Sequence, residues 1–164
     1  MLMMRPVSLV QSALPDLERP TMTRAIAARD LGKLLRTKRE FLFALLAAWT
    51  GTVLLAGGLL IWFPGLLLKK GYALPDVALV TLLTASIMMI RNFRTPPAVL
   101  LQAAGEFKAL AGIGTTSAAV SVAATLVLLL AFGPVVSLLG IAAGELVILV
   151  SVQRLTKNWL ARHG

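Results

Sequence analysis

ALAGIGTTSAAVSVAATLVLLLAFGPVVSLLGIAAGELVILVSV, residues 109–152, holds one ionisable side chain, Glu145. The stretch divides at Phe132-Gly133-Pro134, where a glycine followed by a proline is turn chemistry. Each half approaches or exceeds the roughly 17–25 apolar residues that a bilayer-crossing helix needs. Working back towards the amino terminus, residues 41–68 and 73–90 are almost uncharged as well. Four such runs make the membrane the solvent.

Composition agrees. The 164 residues are 58% hydrophobic and 14% charged, with mean hydropathy +0.86; soluble domains carry about 25% charged residues. The expected fold is therefore all-α, a polytopic membrane helical bundle of about four transmembrane helices preceded by an amphipathic interfacial helix. The expected boundaries are a basic amphipathic segment over 1–40 and a bundle over 41–157, followed by a basic tail over 154–164. Spans are expected at about 41–68, 73–104 with a kink near 95–97, 108–132 and 134–153.

A net charge of +9, from 16 Lys and Arg against 7 Asp and Glu, would suggest nucleic acid in a soluble protein. Its distribution suggests membrane lipids and no nucleic acid. Eight basic residues, from Arg5 to Arg39, precede the first long run, and Arg154, Lys157 and Arg162 follow the last. Positive residues beside spans mark the cytoplasmic side, so both termini are expected there, with Lys69-Lys70 as the exception on the outer side. The chain has no cysteine, and its one histidine, His163, sits near the end. Residues 1–15 read poorly as a signal peptide, because Val7–Val10 is too short an apolar core.

Over 21–40, Met22, Ile26, Ala27, Leu31, Leu34 and Leu35 share a helical face opposite Arg24, Arg29, Lys33, Arg36 and Arg39. That pattern suits the headgroup boundary of an anionic leaflet. In the first span, Gly57-Gly58 and Pro64 predict tilt or a kink, Trp49 lies well inside, and Trp62 and Tyr72 mark the outer end. The second span changes character at Arg91-Asn92-Phe93-Arg94-Thr95-Pro96-Pro97. Prolines argue for a break there. Yet Thr81, Thr84, Met88, Arg91, Thr95 and Gln102 keep helical spacing across it, so one long helix to about residue 104 is the competing reading. In the third span Gly114, Ser117, Ser121 and Thr125 form a small-residue stripe, and the fourth contains Gly140-Ile-Ala-Ala-Gly144; both are patterns that let helices approach closely in lipid.

No phosphate-cradling loop, metal-ligand spacing or nucleophile–base set can be assembled, so neither an enzyme nor a cofactor or metal is expected. Glu145 is the one acid inside a confident span. A carboxylate in hydrocarbon faces a cavity, pairs with a base or titrates, which makes it either a substrate or proton contact or half of an interhelical ion pair. Arg91 and Arg94 fall about 18 residues from the outer end of the second span, near the inner interface. There they read as ordinary positive-inside residues or as planar forks gripping an anionic phosphate. Asp76, Glu106 and Lys108 read as loop or cap residues.

Gly71-Tyr72, Leu101-Gln102-Ala103-Ala104-Gly105-Glu106-Phe107-Lys108, Phe132-Gly133-Pro134 and Gly140-x-x-x-Gly144-Glu145 stand in this order along the chain. In this they resemble the carboxy-terminal part of polysaccharide flippases of the multidrug/oligosaccharidyl-lipid/polysaccharide exporter superfamily. Ala13-Leu14-Pro15 and Ala27-Ala28-Arg29-Asp30 resemble the segment leading out of that family's eighth helix. The resemblance implies about twelve helices in two pseudo-symmetric lobes, of which this chain would match the last four. It implies a bacterial inner (plasma) membrane location and movement of an undecaprenyl-pyrophosphate-linked oligosaccharide between leaflets. Arg91, Arg94, Gln102 and Glu145 would then line the substrate cavity. The chain is far shorter than two lobes require, which implies a partial flippase that belongs with a missing amino-terminal lobe or a partner membrane protein. The competing reading is a small membrane scaffold or accessory subunit without transport activity, docking through Gly140, Gly144 and the small-residue face of the third span.

Overall fold

The structure, a computed structural model, describes residues 5–62 and 74–163. Lys69, Lys70, Gly71, Tyr72 and Pro64 lie outside the described residues. Five helices make up the described chain: α1 (Arg5–Ala27), α2 (Leu31–Trp62), α3 (Leu74–Ala103), α4 (Phe107–Phe132) and α5 (Pro134–His163). The all-α bundle expected from the sequence is the fold, and α2 to α5 are each long and apolar enough to cross a membrane.

Turn chemistry sets the boundaries. At the end of α3, Gly105 takes φ +81, its N–H donates to the Gln102 carbonyl at 3.1 Å and the Glu106 N–H donates to the Leu101 carbonyl at 3.0 Å. This is a Schellman closure with glycine in the left-handed position. The same closure ends α1, where Arg29 donates to Ile26 and Asp30 to Ala25, both at 3.0 Å, but the left-handed residue is Arg29 at φ +54. Asp30 then starts α2, its Oδ1 accepting the Lys33 N–H at 2.8 Å. Gly133, at φ +87, separates α4 from α5, and Pro134 opens α5 where its missing N–H costs nothing.

Two expectations about boundaries are corrected. The single helix over 21–40 is two, because the chain reverses at Ala28–Asp30, and α2 runs without interruption from its basic turns into the apolar span. Met22 and Leu34 of its apolar face are buried against the bundle, as is Ala25, whereas Leu35 is exposed. The second span runs as one helix, as the helical spacing across the prolines suggests: α3 continues to Ala103 with Pro96 and Pro97 inside it. Both prolines are buried, so ring packing compensates for the lost donors. The tail over 154–164 is helical to His163, and its Trp159 belongs to the core.

The helices pack in a chain of neighbours: α1 on α2 and α3, α2 on α3, α3 on α5, and most extensively α5 on α4. The core gathers at one end, from Met22 and Ala25, Leu34, Phe41 and Leu45, Val99, Leu100 and Leu101, and Val152 and Trp159. Away from it, Leu54, Leu55, Ile61 and Trp62 of α2 and Leu126, Val127, Leu130 and Phe132 of α4 are exposed. Such surfaces suit hydrocarbon and would be costly in water.

Candidate functional site

The cross-helix polar contacts start with α2 and α3, which run antiparallel. The Trp49 Nε1–H donates to the Ala85 carbonyl at 3.0 Å, and Asn92 Nδ2 lies 3.5 Å from the Leu45 carbonyl. Asn92 is fully buried. These contacts fix the face that α3 turns to α5.

On that face three charges meet. The Arg91 Nε–H donates to Glu145 Oε1 at 2.6 Å, and Arg94 Nε lies 3.2 Å from Glu145 Oε2. Arg91 and Arg94 are three residues apart on a helix, so both reach the same carboxylate across the α3–α5 seam. The two grips differ. Arg94 is close enough to pair electrostatically but is misaligned for a hydrogen bond, and Oε2 has no donor in the structure. Glu145 is 7% exposed, while the Arg91 and Arg94 side chains are 43% and 28% exposed. A buried carboxylate thus anchors two arginines whose side chains stay partly exposed, with one positive charge in excess.

The cluster lies well inside both helices. Arg91 lies twelve residues before the end of α3, which is about 18 Å along the axis, and Glu145 lies eleven residues into α5, about 16 Å. Both arginines lie within Val77–Ala103, the part of α3 that is long and apolar enough to cross a membrane. Gln102, expected at the same site, is eleven residues from Arg91, about 16 Å away along the helix. It lies at the closing turn, where its carbonyl accepts from Gly105, and does not join the cluster.

No family model matches the chain, nor does any curated protein or solved structure.

The stripe of small residues divides in two. A Cβ on Gly140 would fall 2.5 Å from the Thr125 Cα, and one on Gly144 would fall 2.5 Å from the Ser121 Cβ. The Ser117 hydroxyl donates to the Gly144 carbonyl at 2.6 Å. Gly140, Gly144, Ser117, Ser121 and Thr125 thus form the α4–α5 interface, which brings α4 close and holds the turn before Glu145 in place. Gly114 is not part of this approach, since a Cβ there would meet nothing within 4 Å. Near the carboxy terminus, His163 stacks on Trp159 with ring centroids 4.4 Å apart and its Nδ1 bonds the Trp159 carbonyl. Among the described residues, no three His, Cys, Asp or Glu side chains are grouped to hold a metal.

Asn92 was read in the sequence only as part of the break after Ile90, yet it is the buried polar contact between α2 and α3. An amide between two arginines in an otherwise helical register was the available signal. Thr81, Thr84, Met88, Arg91, Thr95 and Gln102 are all half-buried. The hydroxyls of Thr81, Thr84 and Thr95 donate to carbonyls four residues back, so this stripe of α3 carries polar groups already satisfied within the helix.

Proposed function

We propose that the chain is the membrane-embedded portion of a polysaccharide flippase that moves a lipid-linked anionic glycan across the bacterial inner membrane, with both termini cytoplasmic. The observation that carries this reading is the Arg91–Glu145–Arg94 cluster, placed within the spans with its guanidinium groups partly open. Planar guanidinium forks match the geometry of phosphate and pyrophosphate. Glu145 holds both arginines in register while the site is empty, and an arriving pyrophosphate takes over part of their pairing. The half-buried stripe from Thr81 to Gln102 lines the path of the glycan along α3. A second lobe, supplied by another segment or a partner chain, faces this stripe and completes an alternating-access cavity.

The surface assigned to a partner under the scaffold reading is occupied within the chain, because Gly140 and Gly144 pack against Ser121 and Thr125. This favours transport over docking through that face.

The test is export of lipid-linked glycan in cells that depend on this chain. Arg91→Glu with Arg94→Glu abolishes surface glycan while the chain persists in the membrane fraction, and Ser137→Ala leaves export intact. Unchanged glycan export in cells carrying the doubly reversed chain as their only copy overturns the reading.

A further inference from the structure

A groove of about 460 Å³ opens between α2, α3 and α5 at the core end of the bundle. That volume lies within the roughly 300–1,000 Å³ of small-ligand sites. Leu42 of α2, Phe93, Pro96 and Pro97 of α3 and Leu160 of α5 give it apolar walls. The prolines carry no N–H, so this part of the wall offers a ligand no backbone donor.

The groove also has a charged side. Lys38 and Arg39 of α2 and Lys157 of α5 line it, and no carboxylate does. Glu40, the neighbouring acid, is taken by Arg36 at 2.8 Å. Among the described residues none of the three cations is ion-paired. The α2 and α5 backbones make no close approach of their own, so the cations face each other across a gap bridged only by α3. Three uncompensated cations beside an apolar channel complement a ligand with a phosphate at one end and hydrocarbon at the other. The channel does not suit a free anion, which would gain nothing from Leu42, Phe93 and Leu160.

We infer that this groove binds an anionic phospholipid of the surrounding leaflet, with its phosphate held by Lys38, Arg39 and Lys157 and one acyl chain laid over Leu42, Phe93 and Pro97. The site is separate from the Arg91–Glu145–Arg94 cluster, none of whose residues lines the groove. By drawing α2 and α5 towards one phosphate, the lipid clasps the basic end of the bundle. Gln153, on the same wall, is placed to donate to the ester oxygens.

The experiment uses the full chain in neutral detergent, titrated with dioleoyl phosphatidylglycerol and followed by native mass spectrometry and thermal unfolding. The expected result is a one-to-one adduct and a raised melting temperature, neither given by dioleoyl phosphatidylcholine. Lys38→Gln with Lys157→Gln weakens the adduct about tenfold or more, whereas Lys33→Gln with Lys108→Gln, the same charge change elsewhere on the surface, leaves it unchanged. Leu42→Trp fills the groove without altering charge and also weakens the adduct, which provides a test if the double lysine variant does not fold. Equal binding by both charge variants, or unaltered binding by Leu42→Trp, overturns the site. Displacement of the lipid by millimolar inorganic phosphate overturns the lipid as its occupant.

Discussion

Arg91 and Glu145 join two helices that run in the same direction, through a 2.6 Å bond between side chains 54 residues apart. The α4 helix returns the chain between them and packs mainly on α5, so the ion pair joins two parallel helices and not the arms of a hairpin. Placed inside spans, the pair is worth more to the fold by its presence than either partner would be alone. Glu145→Leu leaves two facing guanidinium groups without their counter-charge. The expected cost is about 2–3 kcal/mol, below the roughly 3–5 kcal/mol of a fully buried pair because Arg91 is 43% exposed. The shift of the denaturing-detergent unfolding midpoint measures it.

The two arginines are not equivalent. Arg91 makes the aligned hydrogen bond, and Arg94 contributes proximity alone. Arg91→Gln therefore destabilises more than Arg94→Gln, by about 1 kcal/mol, the net worth of one such bond. Equal unfolding midpoints for the two variants would show that the alignment carries no energy.

Glycines divide by location. Gly140→Ala sets a Cβ against the Thr125 backbone, which cannot rotate away as a side chain could, and costs about 1–3 kcal/mol of overpacking. Gly57→Ala, Gly58→Ala and Gly114→Ala meet nothing within 4 Å and gain up to about 1 kcal/mol from helix propensity. Melting temperatures of the four variants in one detergent should move in these opposite directions.

Trp49→Phe keeps most of the ring and removes the N–H that reaches the Ala85 carbonyl at 3.0 Å. A loss of about 1 kcal/mol is expected. A larger loss would mean that the α2–α3 seam rests on this contact more than on its packing.

Arg29→Gly should stabilise the chain by roughly 1 kcal/mol, since φ +54 strains a residue with a Cβ but not glycine. Gly105→Arg at the matching position after α3, where φ is +81, should cost a similar amount. Thermal unfolding of the pair checks both signs.

The four spans were legible because hydrocarbon tolerates few charges, and uncharged runs of sufficient length can be counted directly. The α3 boundary was ambiguous, because Arg91, Arg94 and two prolines are each local reasons to stop a helix that the spacing from Thr81 to Gln102 continues. Burial of Pro96 and Pro97 and the carboxylate on α5 remove those reasons, and both are tertiary facts. The α1–α2 turn stayed hidden for a narrower reason. Gly105 announces the closure after α3, but the identical closure after α1 is occupied by Arg29, which reads as one more basic position on a helical face. Glu145 stood out as a lone acid, and the two arginines as a pair, yet nothing in their spacing relates residues on separate helices. The groove cations were counted with the positive-inside residues, and only the packing of α3 on its two neighbours separates them from the rest.

The distance in sequence between Arg91 and Glu145 also sets an order of events during synthesis. When Arg91 leaves the ribosome, Glu145, the carboxylate it pairs with in the fold, is still 54 residues from being made. A helix carrying two uncompensated cations is a poor passenger for lipid. The nascent α3 is therefore expected to wait at the insertion machinery, or to ride shallow in the bilayer, until α5 arrives. On that expectation it is the arrival of α5 that lets the earlier helix settle.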